Sequence, residues 1–417
     1  MTYGCIAEKL GHSFSKVIHN RLFDYDYELR EIKKEDLGDF MLEKNFKAIN
    51  VTIPYKESVI PYLDEISEIA REIGAVNTIV NENGRLKGYN TDFSGMTQLL
   101  NKNKIAITGK KVLILGSGGT SKTARAVVKS LGCSSCHVVS RSENNGYISY
   151  ETAEKQHSDA NVIINTTPVG MYPKIGVSPI NISKYPSLEA VVDAVYNPIR
   201  TKLVCDAEKM GIKAVGGLYM LVAQAAIASE KFIGKNVPVS EIDRVYGEIL
   251  MLKRNVVLTG MPGSGKSTIG KRIAQELSFD FYDTDELIVK KYGKKIPEIF
   301  SEIGEKGFRE LESEAVFEIA SVQGAVIATG GGAILNERNV DLLRENGIVY
   351  FMDRDINSIV ATSDRPLSSN RADLEKRYVE RYPLYKQRCD RHVKISNNVE
   401  ENSQTIIKDF FNENTCD

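Results

Sequence analysis

The chain has 417 residues, a length that suits two or three domains rather than one. Its apolar fraction of 42% and charged fraction of 26% are typical of soluble globular proteins, and its net charge of −1 argues against nucleic-acid or anionic-membrane partners. No apolar run reaches the length of a membrane span, and six cysteines in so long a chain do not make a disulfide scaffold. We therefore expect a cytoplasmic protein whose ligands are small molecules.

The first hundred residues show the pattern of an α/β domain. Short apolar runs at 3–7, 48–53 and 76–80 alternate with helical stretches and end in polar clusters, where open α/β sheets bind ligands. Taken singly, each cluster has a structural explanation: Lys56 as a surface charge, for example, or Asp92 as a helix N-cap. Together they supply hydroxyls, amides, an ammonium and a carboxylate, which a small polyhydroxylated acid requires.

Three motifs in this region resemble the substrate-binding motifs of shikimate dehydrogenases: LGHSFSKVIHN, NVTIPYKE and GRLKGYNTDFSG. The resemblance implies that Ser13 and Ser15 bind the substrate carboxylate, with Thr52 nearby. It also implies that Asn77, Lys56 and Asp92 bind the ring hydroxyls and the reacting oxygen. Ketone reduction by hydride leaves an alkoxide that must be protonated, and a Lys beside a carboxylate can donate that proton. We predict Lys56 as the general acid/base and Asp92 as its orienting partner.

The next segment predicts a dinucleotide-binding domain. A strand at 111–115 turns through a glycine cluster into a helix, and a second strand ends at Ser140-Arg141-Ser142. Asp or Glu at that place accepts a hydrogen bond from a ribose hydroxyl, whereas Arg flanked by Ser suits a 2′-phosphate; an ordinary loop Arg is the alternative. We therefore predict NADP as the cofactor, with contacts from Gly116, Gly118, Gly119, Ser140, Arg141 and Ser142.

Three later segments resemble the same dehydrogenase family: VIINTTPVGM, VVDAVYNPIRTKL and GGLYMLVAQAA. The resemblance implies that residues from Thr166 to Met171 line the nicotinamide side and that Tyr196 and Gln224 approach the substrate. The helix that carries Gln224 would then fold back onto the first domain and close a cleft between the two. Cys133 and Cys136 form a lone C-x-x-C, which we interpret as thiols at a helix–strand junction rather than a zinc site.

A phosphate-loop motif begins a further α/β domain. VVLTGMPGSGKST places G-x-x-x-x-G-K-S between an apolar strand and a helical run, a context that a glycine-rich turn without nucleotide would not require. Backbone N–H groups of such a loop face phosphate oxygens, a Lys reaches the terminal phosphates and a Ser hydroxyl ligates Mg²⁺. The nucleotide contacts predicted are Gly260, Gly263, Ser264, Gly265, Lys266, Ser267 and Thr268.

Further motifs follow in order after this loop: FYDTDE, GEKGFRE, VIATGGG, DRPL and RYPLY. Asp283 and Asp285 are two carboxylates spaced i, i+2 at the end of a short strand, and we expect one to hold Mg²⁺ with Ser267 and the other to bind or deprotonate an attacking hydroxyl. The series resembles shikimate kinases, a branch of the nucleoside-monophosphate-kinase fold. The resemblance implies that Arg309 and Arg381 bind the substrate carboxylate and that Asp285 contacts its hydroxyls, so we assign Mg²⁺ to Ser267 and Asp283. It also implies that Gly331 and Gly332 lie at the ring and that Arg365, on a lid, neutralises the transferring phosphoryl group.

We accordingly predict a two-domain dehydrogenase fused to a P-loop kinase, all of the α/β class. The expected boundaries are 1–100 completed by 218–252 for the substrate domain, 101–217 for a Rossmann-like NADP domain and 253–417 for the kinase. An amphipathic helix at 239–252 leads almost directly into the kinase strand. The assembly state, with a homodimer as one option, is left open.

Both halves point to one metabolite. The first would reduce 3-dehydroshikimate to shikimate with NADPH, and the second would phosphorylate shikimate with ATP and Mg²⁺. One alternative is an active dehydrogenase with a degenerate nucleotide-binding regulatory module, and another is quinate oxidation with NAD. The presence of Lys56, Asp92, Asp285 and Arg309 argues against the first, and Arg141 argues against the second.

Overall fold

The computed structural model describes residues 1–10, 14–143, 146–359 and 371–415. Ser13 and Arg365, both predicted site residues, lie outside the described residues. The chain forms two compact units. Unit 1 comprises Met1–Met171, Ser178–Asn197 and Asp206–Ile249. Unit 2 comprises Tyr172–Val177, Pro198–Cys205 and Leu250–Asp417.

The first sheet of unit 1 has six strands and mixed direction. They are β1 (Tyr3–Ala7), β2 (Tyr27–Glu31), β3 (Ala48–Val51), β4 (Glu65–Ile66), β5 (Thr78–Glu82) and β6 (Arg85–Tyr89). Their order is β2-β1-β3-β5-β6-β4, with β1 parallel to β2 and β3, and β5 antiparallel to both of its neighbours. The strands predicted at the first two apolar runs are confirmed: β1 covers 3–7, and β3 covers 48–51 of the run at 48–53.

The second sheet of unit 1 is entirely parallel. Its strands are β7 (Lys111–Leu115), β8 (Ser135–Val139), β9 (Val162–Asn165), β10 (Ala190–Asp193) and β11 (Lys213–Val215), in the order β11-β10-β9-β7-β8. Strand order reverses at β7, and ligands of open α/β sheets bind at such a switch point, beside the carboxyl ends of the strands. The predicted Rossmann-like arrangement is confirmed.

Helices follow the strands along the chain. The first nine are α1 (Ser15–Leu22), α2 (Leu37–Glu43), α3 (Glu68–Ile73), α4 (Thr91–Lys102), α5 (Gly119–Ser130), α6 (Tyr150–Gln156), α7 (Lys202–Lys209), α8 (Leu218–Ile233) and α9 (Val239–Lys253). Helix α8 packs along α4, as predicted for the helix that carries Gln224. Gly95 lets the two helices approach closely, since a Cβ there would lie 2.9 Å from Met220 O and 3.0 Å from Gln224 N.

Helix α4 begins differently from the structural explanation considered for Asp92. Its N-cap is Asn90, whose Oδ1 accepts a hydrogen bond from Phe93 N at 3.2 Å. Asp92 lies one residue inside the first turn, so its carboxylate is not used to cap the helix. The N-cap interpretation of Asp92 is therefore wrong, and the side chain is available for another contact.

The sheet of unit 2 is also entirely parallel. Its strands are β12 (Asn255–Thr259), β13 (Asp280–Asp283), β14 (Ala325–Ala328), β15 (Gly347–Arg354) and β16 (Arg391–Ile395), in the order β13-β14-β12-β15-β16. The helices around it are α10 (Lys266–Leu277), α11 (Thr284–Tyr292), α12 (Ile296–Ala320), α13 (Glu337–Asn346), α14 (Arg371–Arg388) and α15 (Val399–Thr415). Alternate residues of β12 and β15 enter two apolar cores, one on each face. The predicted P-loop kinase architecture is thus observed.

Unit 2 also takes in two short segments from the middle of the chain. Within this unit, Arg200 donates to the carbonyl oxygens of Arg344 and Gly347 at 2.7 and 2.9 Å, and Ile199 N donates to Asn346 Oδ1 at 3.0 Å. The bond to Arg344 O satisfies a carbonyl group in the last turn of α13, where helix carbonyls have no partner within the helix. Across the residues that the structure describes, no helix is both long and apolar enough to span a membrane.

We expect Gly95→Ala to loosen α8 against α4, because its Cβ would meet backbone atoms that cannot rotate away. Overpacking of this kind costs about 1–3 kcal/mol of unfolding free energy. Hydrogen exchange under native conditions should show faster exchange in α4 and α8 than in the wild type, with unit 2 unchanged. Ser94→Ala, on the same helix, is the control; equal exchange in both variants would contradict the close-packing argument.

Candidate active sites

A cavity of about 480 Å³ in unit 1 gathers residues from distant parts of the sequence. The predicted substrate residues that line it are Ser15, Thr52, Lys56, Asn77, Asp92, Tyr196 and Gln224. Met171, predicted on the nicotinamide side, lines the same cavity, and so do Cys5 and Asn50. The cavity lies at the carboxyl ends of β1 and β3, where the first two polar clusters follow their strands.

Lys56 and Asp92 form an ion pair in this cavity. Lys56 Nζ lies 2.6 Å from Asp92 Oδ2, and the side chains are only 19% and 12% exposed. Asp92 sits in the first turn of α4, where the helix dipole favours a negative charge. The pair places one proton donor and one carboxylate side by side in a site that is largely shielded from water, the arrangement expected of a general acid with its orienting partner.

A buried amide network fixes the neighbouring side chains. Asn77 Oδ1 accepts from Thr91 N at 2.7 Å, and Thr91 Oγ1 lies 3.4 Å from Gln224 Oε1. Asn50 Oδ1 accepts from Tyr27 Oη at 2.7 Å, and Asn50 Nδ2 donates to Asn77 O at 3.3 Å. Asn50 was not among the site residues predicted from the sequence. Its place at the head of the NVTIPYK motif was the available signal.

The glycines after β7 shape the predicted NADP site. Gly116 has φ +100°, and a Cβ there would lie 2.9 Å from Thr167 Cγ2, so a larger residue would be both strained and crowded. Gly118 is the N-cap of α5, and Cβ atoms on Gly118 or Gly119 would meet nothing within 4 Å. The N-terminus of this 12-residue helix is therefore open to an anion.

The other predicted NADP residues lie at the ends of the strands that flank β7. Ser140 and the exposed Arg141 follow β8, and Ser142 N lies 3.5 Å from Ser140 Oγ. Thr166 follows β9, and its hydroxyl donates to Leu115 O at 2.6 Å. These residues share an edge of the parallel sheet with the glycine turn, and they do not line the substrate cavity described above.

A second cavity, of about 560 Å³, lies in unit 2. It is lined by the predicted residues Gly263, Gly265, Lys266, Ser267, Thr268, Asp283, Asp285, Arg309, Gly331, Gly332 and Arg381. Two other predicted residues, Gly260 and Ser264, are buried in the loop and do not line the cavity. Glu312 and Arg354 line it as well and were missed by the sequence analysis. Glu312 follows Arg309 by one helical turn, a spacing that could have identified it as a partner.

The phosphate loop has the backbone geometry that its glycines allow. Gly260, Gly263 and Gly265 have φ values of +153°, +82° and +95°, and a Cβ on Gly260 would lie 2.8 Å from Met352 O. Lys266 Nζ donates to the carbonyl oxygens of Gly260 and Met261 at 2.9 and 3.0 Å, so the side chain follows the loop. The loop ends at the N-terminus of α10, a helix end suited to bind phosphate.

Ser267 and Asp283 meet beside the loop. Ser267 Oγ donates to Asp283 Oδ2 at 2.6 Å, and Asp283 Oδ1 accepts from Asp285 N at 3.0 Å. A hydroxyl and a carboxylate in contact are oxygen ligands of the type that Mg²⁺ binds in phosphoryl-transfer sites. The donor set of these two residues therefore fits the predicted metal, directly or through water.

Asp285 has an unusual protonation equilibrium. Loss of hydration, followed by the negative charges of Asp283 and Glu312, raises the pKa of Asp285 from 3.8 to about 7, although Lys266 and Arg309 act in the opposite direction. A carboxyl group that titrates near neutral pH can accept a proton from a hydroxyl. Of the two functions predicted for Asp285, the raised pKa favours deprotonation of the attacking hydroxyl over binding alone.

The predicted carboxylate-binding arginines are held in different ways. Arg309 donates to Glu312 at 2.9 Å and to Glu305 at 3.1 Å. Arg381, only 3% exposed, donates to Gly331 O at 2.9 Å, and burial lowers its pKa. Both guanidinium groups are already oriented by these partners, so they lose less conformational entropy when a carboxylate binds.

The C-x-x-C pair lies away from both cavities. Cys133 and Cys136 are half-buried free thiols at the start of β8, and burial raises the pKa of Cys136 to about 11. Among the described residues, no group of three or more His, Cys, Asp or Glu side chains is placed to hold a metal ion.

Two family models match the chain. The shikimate dehydrogenase substrate binding domain matches residues 5–79, and shikimate kinase matches residues 262–411. A curated shikimate dehydrogenase (NADP(+)) from Clostridium beijerinckii is 39% identical over 244 residues, which are 55% of this chain and 90% of that protein. These matches cover the two halves in which the cavities lie.

Solved structures are similar to the first part of the chain. A chorismate mutase/shikimate 5-dehydrogenase fusion protein from Clostridium acetobutylicum is 38% identical with a TM-score of 0.57, over 60% of this chain and 96% of that one. The shikimate 5-dehydrogenase of Thermus thermophilus, solved in complex with NADP(H) and shikimate, is 28% identical with a TM-score of 0.53, over 60% of this chain and 99% of that one.

We expect Asp285→Asn to change how the stability of unit 2 depends on pH. Because the pKa is raised in the folded chain, ionisation of Asp285 disfavours folding, and the wild type should lose unfolding free energy as pH rises from about 4 to about 7. A shift of one pKa unit corresponds to 1.36 kcal/mol, so the unfolding free energy of the variant should exceed that of the wild type by about 2–4 kcal/mol above pH 7. Near pH 4 the two unfolding free energies should differ little.

Urea unfolding read by hydrogen exchange in β12 and α10, at pH 4.5 and pH 8, measures this difference. Asp280→Asn, at the exposed start of β13, is the matched control and should show no such change with pH. An equal effect of Asp285→Asn at both pH values would contradict the raised pKa.

Proposed function

The chain belongs to the shikimate dehydrogenase family and carries a shikimate kinase domain, and from this premise we propose that it catalyses two consecutive reactions. The first is NADPH-dependent reduction of 3-dehydroshikimate to shikimate, and the second is ATP-dependent phosphorylation of shikimate to shikimate 3-phosphate. The observation that carries the proposal is that each half holds its reacting groups in its own cavity: Lys56 with Asp92 in one, and Asp285 beside the phosphate loop in the other.

In the dehydrogenase half, the side chains bind and protonate the substrate. NADPH, when bound, supplies the hydride. Ser15 and Thr52 bind the substrate carboxylate, while Asn77 and Gln224 orient the ring hydroxyls. Lys56 Nζ donates a proton to the oxygen on which negative charge develops. Asp92, 2.6 Å from Nζ, keeps the ammonium in position for that transfer.

In the kinase half, the side chains hold shikimate and remove its proton. Arg309 and Arg381 grip the carboxylate, and Asp285 accepts the proton of the attacking hydroxyl. Ser267 and Asp283 would hold Mg²⁺, which, when bound, offsets charge on the nucleotide phosphates. Lys266 and the N-terminus of α10 bind the phosphates themselves.

The domain boundaries are part of the proposal. We assign 1–100 with 218–252 to the substrate domain, 101–217 to the NADP domain and 253–417 to the kinase. Packing of α8 along α4 supports the first assignment, and the separate parallel sheet of unit 2 supports the third.

Incubation of the full chain with 3-dehydroshikimate, NADPH and Mg-ATP should yield shikimate 3-phosphate, with matched loss of NADPH and ATP, in a mass-resolved assay. Lys56→Met should lower the reduction rate by about 10²–10⁴-fold, because the proton donor is lost, and leave phosphorylation of added shikimate unchanged. Lys266→Met should do the reverse, so each variant is the control for the other.

Two results would contradict the proposal. Accumulation of shikimate with ATP untouched would make the kinase half a regulatory nucleotide-binding module. Phosphorylation of added shikimate without any reduction of 3-dehydroshikimate would show that the roles given to Lys56 and Asp92 are wrong.

We expect Arg141→Ala to weaken the binding of NADPH but not that of NADH. Loss of a charged hydrogen bond to the 2′-phosphate costs about 1.5–3 kcal/mol, so the KM for NADPH should rise about tenfold or more while the KM for NADH stays the same. Arg125→Ala, an exposed Arg on α5, is the control. An equal rise in both KM values would show that Arg141 does not recognise the 2′-phosphate.

A further inference from the structure

Arg354 is the last residue of β15, and its side chain lies beside the phosphate loop. Strand β15 pairs with β12 up to Thr259↔Phe351 and continues three residues beyond that point, alongside the loop. Arg354 lines the cavity of unit 2, and its Nη1 lies 3.6 Å from the point that a Cβ on Gly265 would occupy. A positive side chain therefore reaches the loop glycine that precedes Lys266.

The guanidinium of Arg354 has few protein partners. Its Nη2 donates to Asn397 Oδ1 at 2.5 Å, while its Nε is buried and unpaired. In the described part of the chain, no carboxylate lies within 4.0 Å of it. The neighbouring acids are used elsewhere: Asp353 accepts from Tyr382 and contacts His392, and Asp355 accepts from Asn357 N.

Two other arginines of unit 2 have carboxylate partners. Arg344 is paired with Asp390 at 2.9 Å and also donates to a backbone carbonyl. In the same cavity, Arg309 is neutralised by Glu312 and Glu305. Arg354 is half-buried, lines the cavity and has no such counter-ion among the described residues, so its charge is available to an anion that enters the cavity.

We propose that Arg354 binds the phosphate groups of the nucleotide in the kinase cavity. The bond to Asn397 fixes the guanidinium plane, and Nη1, which lies beside Gly265, can donate to a phosphate oxygen. Arg354 thus adds a side-chain contact to the backbone N–H groups and Lys266 of the loop. This inference rests on the proposed kinase function.

The test compares the full-length wild type with Arg354→Met and Arg354→Lys. Calorimetric titration with ADP and with inorganic tripolyphosphate, both with Mg²⁺, measures binding without turnover. We expect Arg354→Met to raise both Kd values about tenfold or more, and Arg354→Lys to raise them less. The KM for ATP should rise, whereas the KM for shikimate and the dehydrogenase rate should not. Arg338→Met, at an exposed position outside this cavity, is the charge-matched control.

Three outcomes would overturn the inference. Unchanged Kd values would show that Arg354 does not contact the nucleotide, and weaker ADP binding with unchanged tripolyphosphate binding would assign it to the base or ribose. An equal loss of affinity in Arg338→Met would show that the effect comes from the change in net charge alone. A wild type that phosphorylates shikimate in any of these cases keeps the proposed function and rejects only the role of Arg354; a wild type that binds neither ATP nor ADP rejects the proposed function itself.

Discussion

The parallel alignment of neighbouring strands is the constraint on which the predicted NADP site and the cavity of unit 2 depend. When adjacent strands run in the same direction, their carboxyl ends share one edge, and residues far apart in sequence meet there. Gly116, Ser140 and Thr166 follow β7, β8 and β9 in this way. In unit 2, the phosphate loop after β12 meets Asp283 at the end of β13 and Arg354 at the end of β15. Each strand contributes few functional residues, and the edge assembles them.

The two cavities treat buried charge differently. In unit 1, Lys56 and Asp92 compensate each other at 2.6 Å, so the ammonium and the carboxylate are paired before Lys56 donates its proton. In unit 2, several acids and bases share one space, and burial, followed by the charges of Asp283 and Glu312, raises the pKa of Asp285 to about 7. The carboxyl group of Asp285 therefore titrates near neutral pH. The arginines around it are held by hydrogen bonds: Arg309 to Glu312, Arg381 to Gly331 and Arg354 to Asn397.

Helix packing determines how firmly the dehydrogenase site is held. Gln224 reaches the cavity because α8 lies close to α4, and Gly95 permits that distance. Asp92 is available to Lys56 because Asn90, two residues earlier, caps the helix. The same local sequence therefore both starts the helix and leaves a carboxylate for chemistry.

The sequence by itself determined the parts whose physics is local. Glycines that need positive φ, a Lys and a Ser after the loop, and apolar runs of strand length identified the phosphate loop, the sheets and the likeness to two enzyme families. Only the tertiary structure decided which side chains meet: that Asn50 orders Asn77, that Gln224 approaches Thr91, and that Arg354 reaches Gly265. These relations depend on strand order and helix packing, because they join residues whose separation along the chain carries no information about their distance.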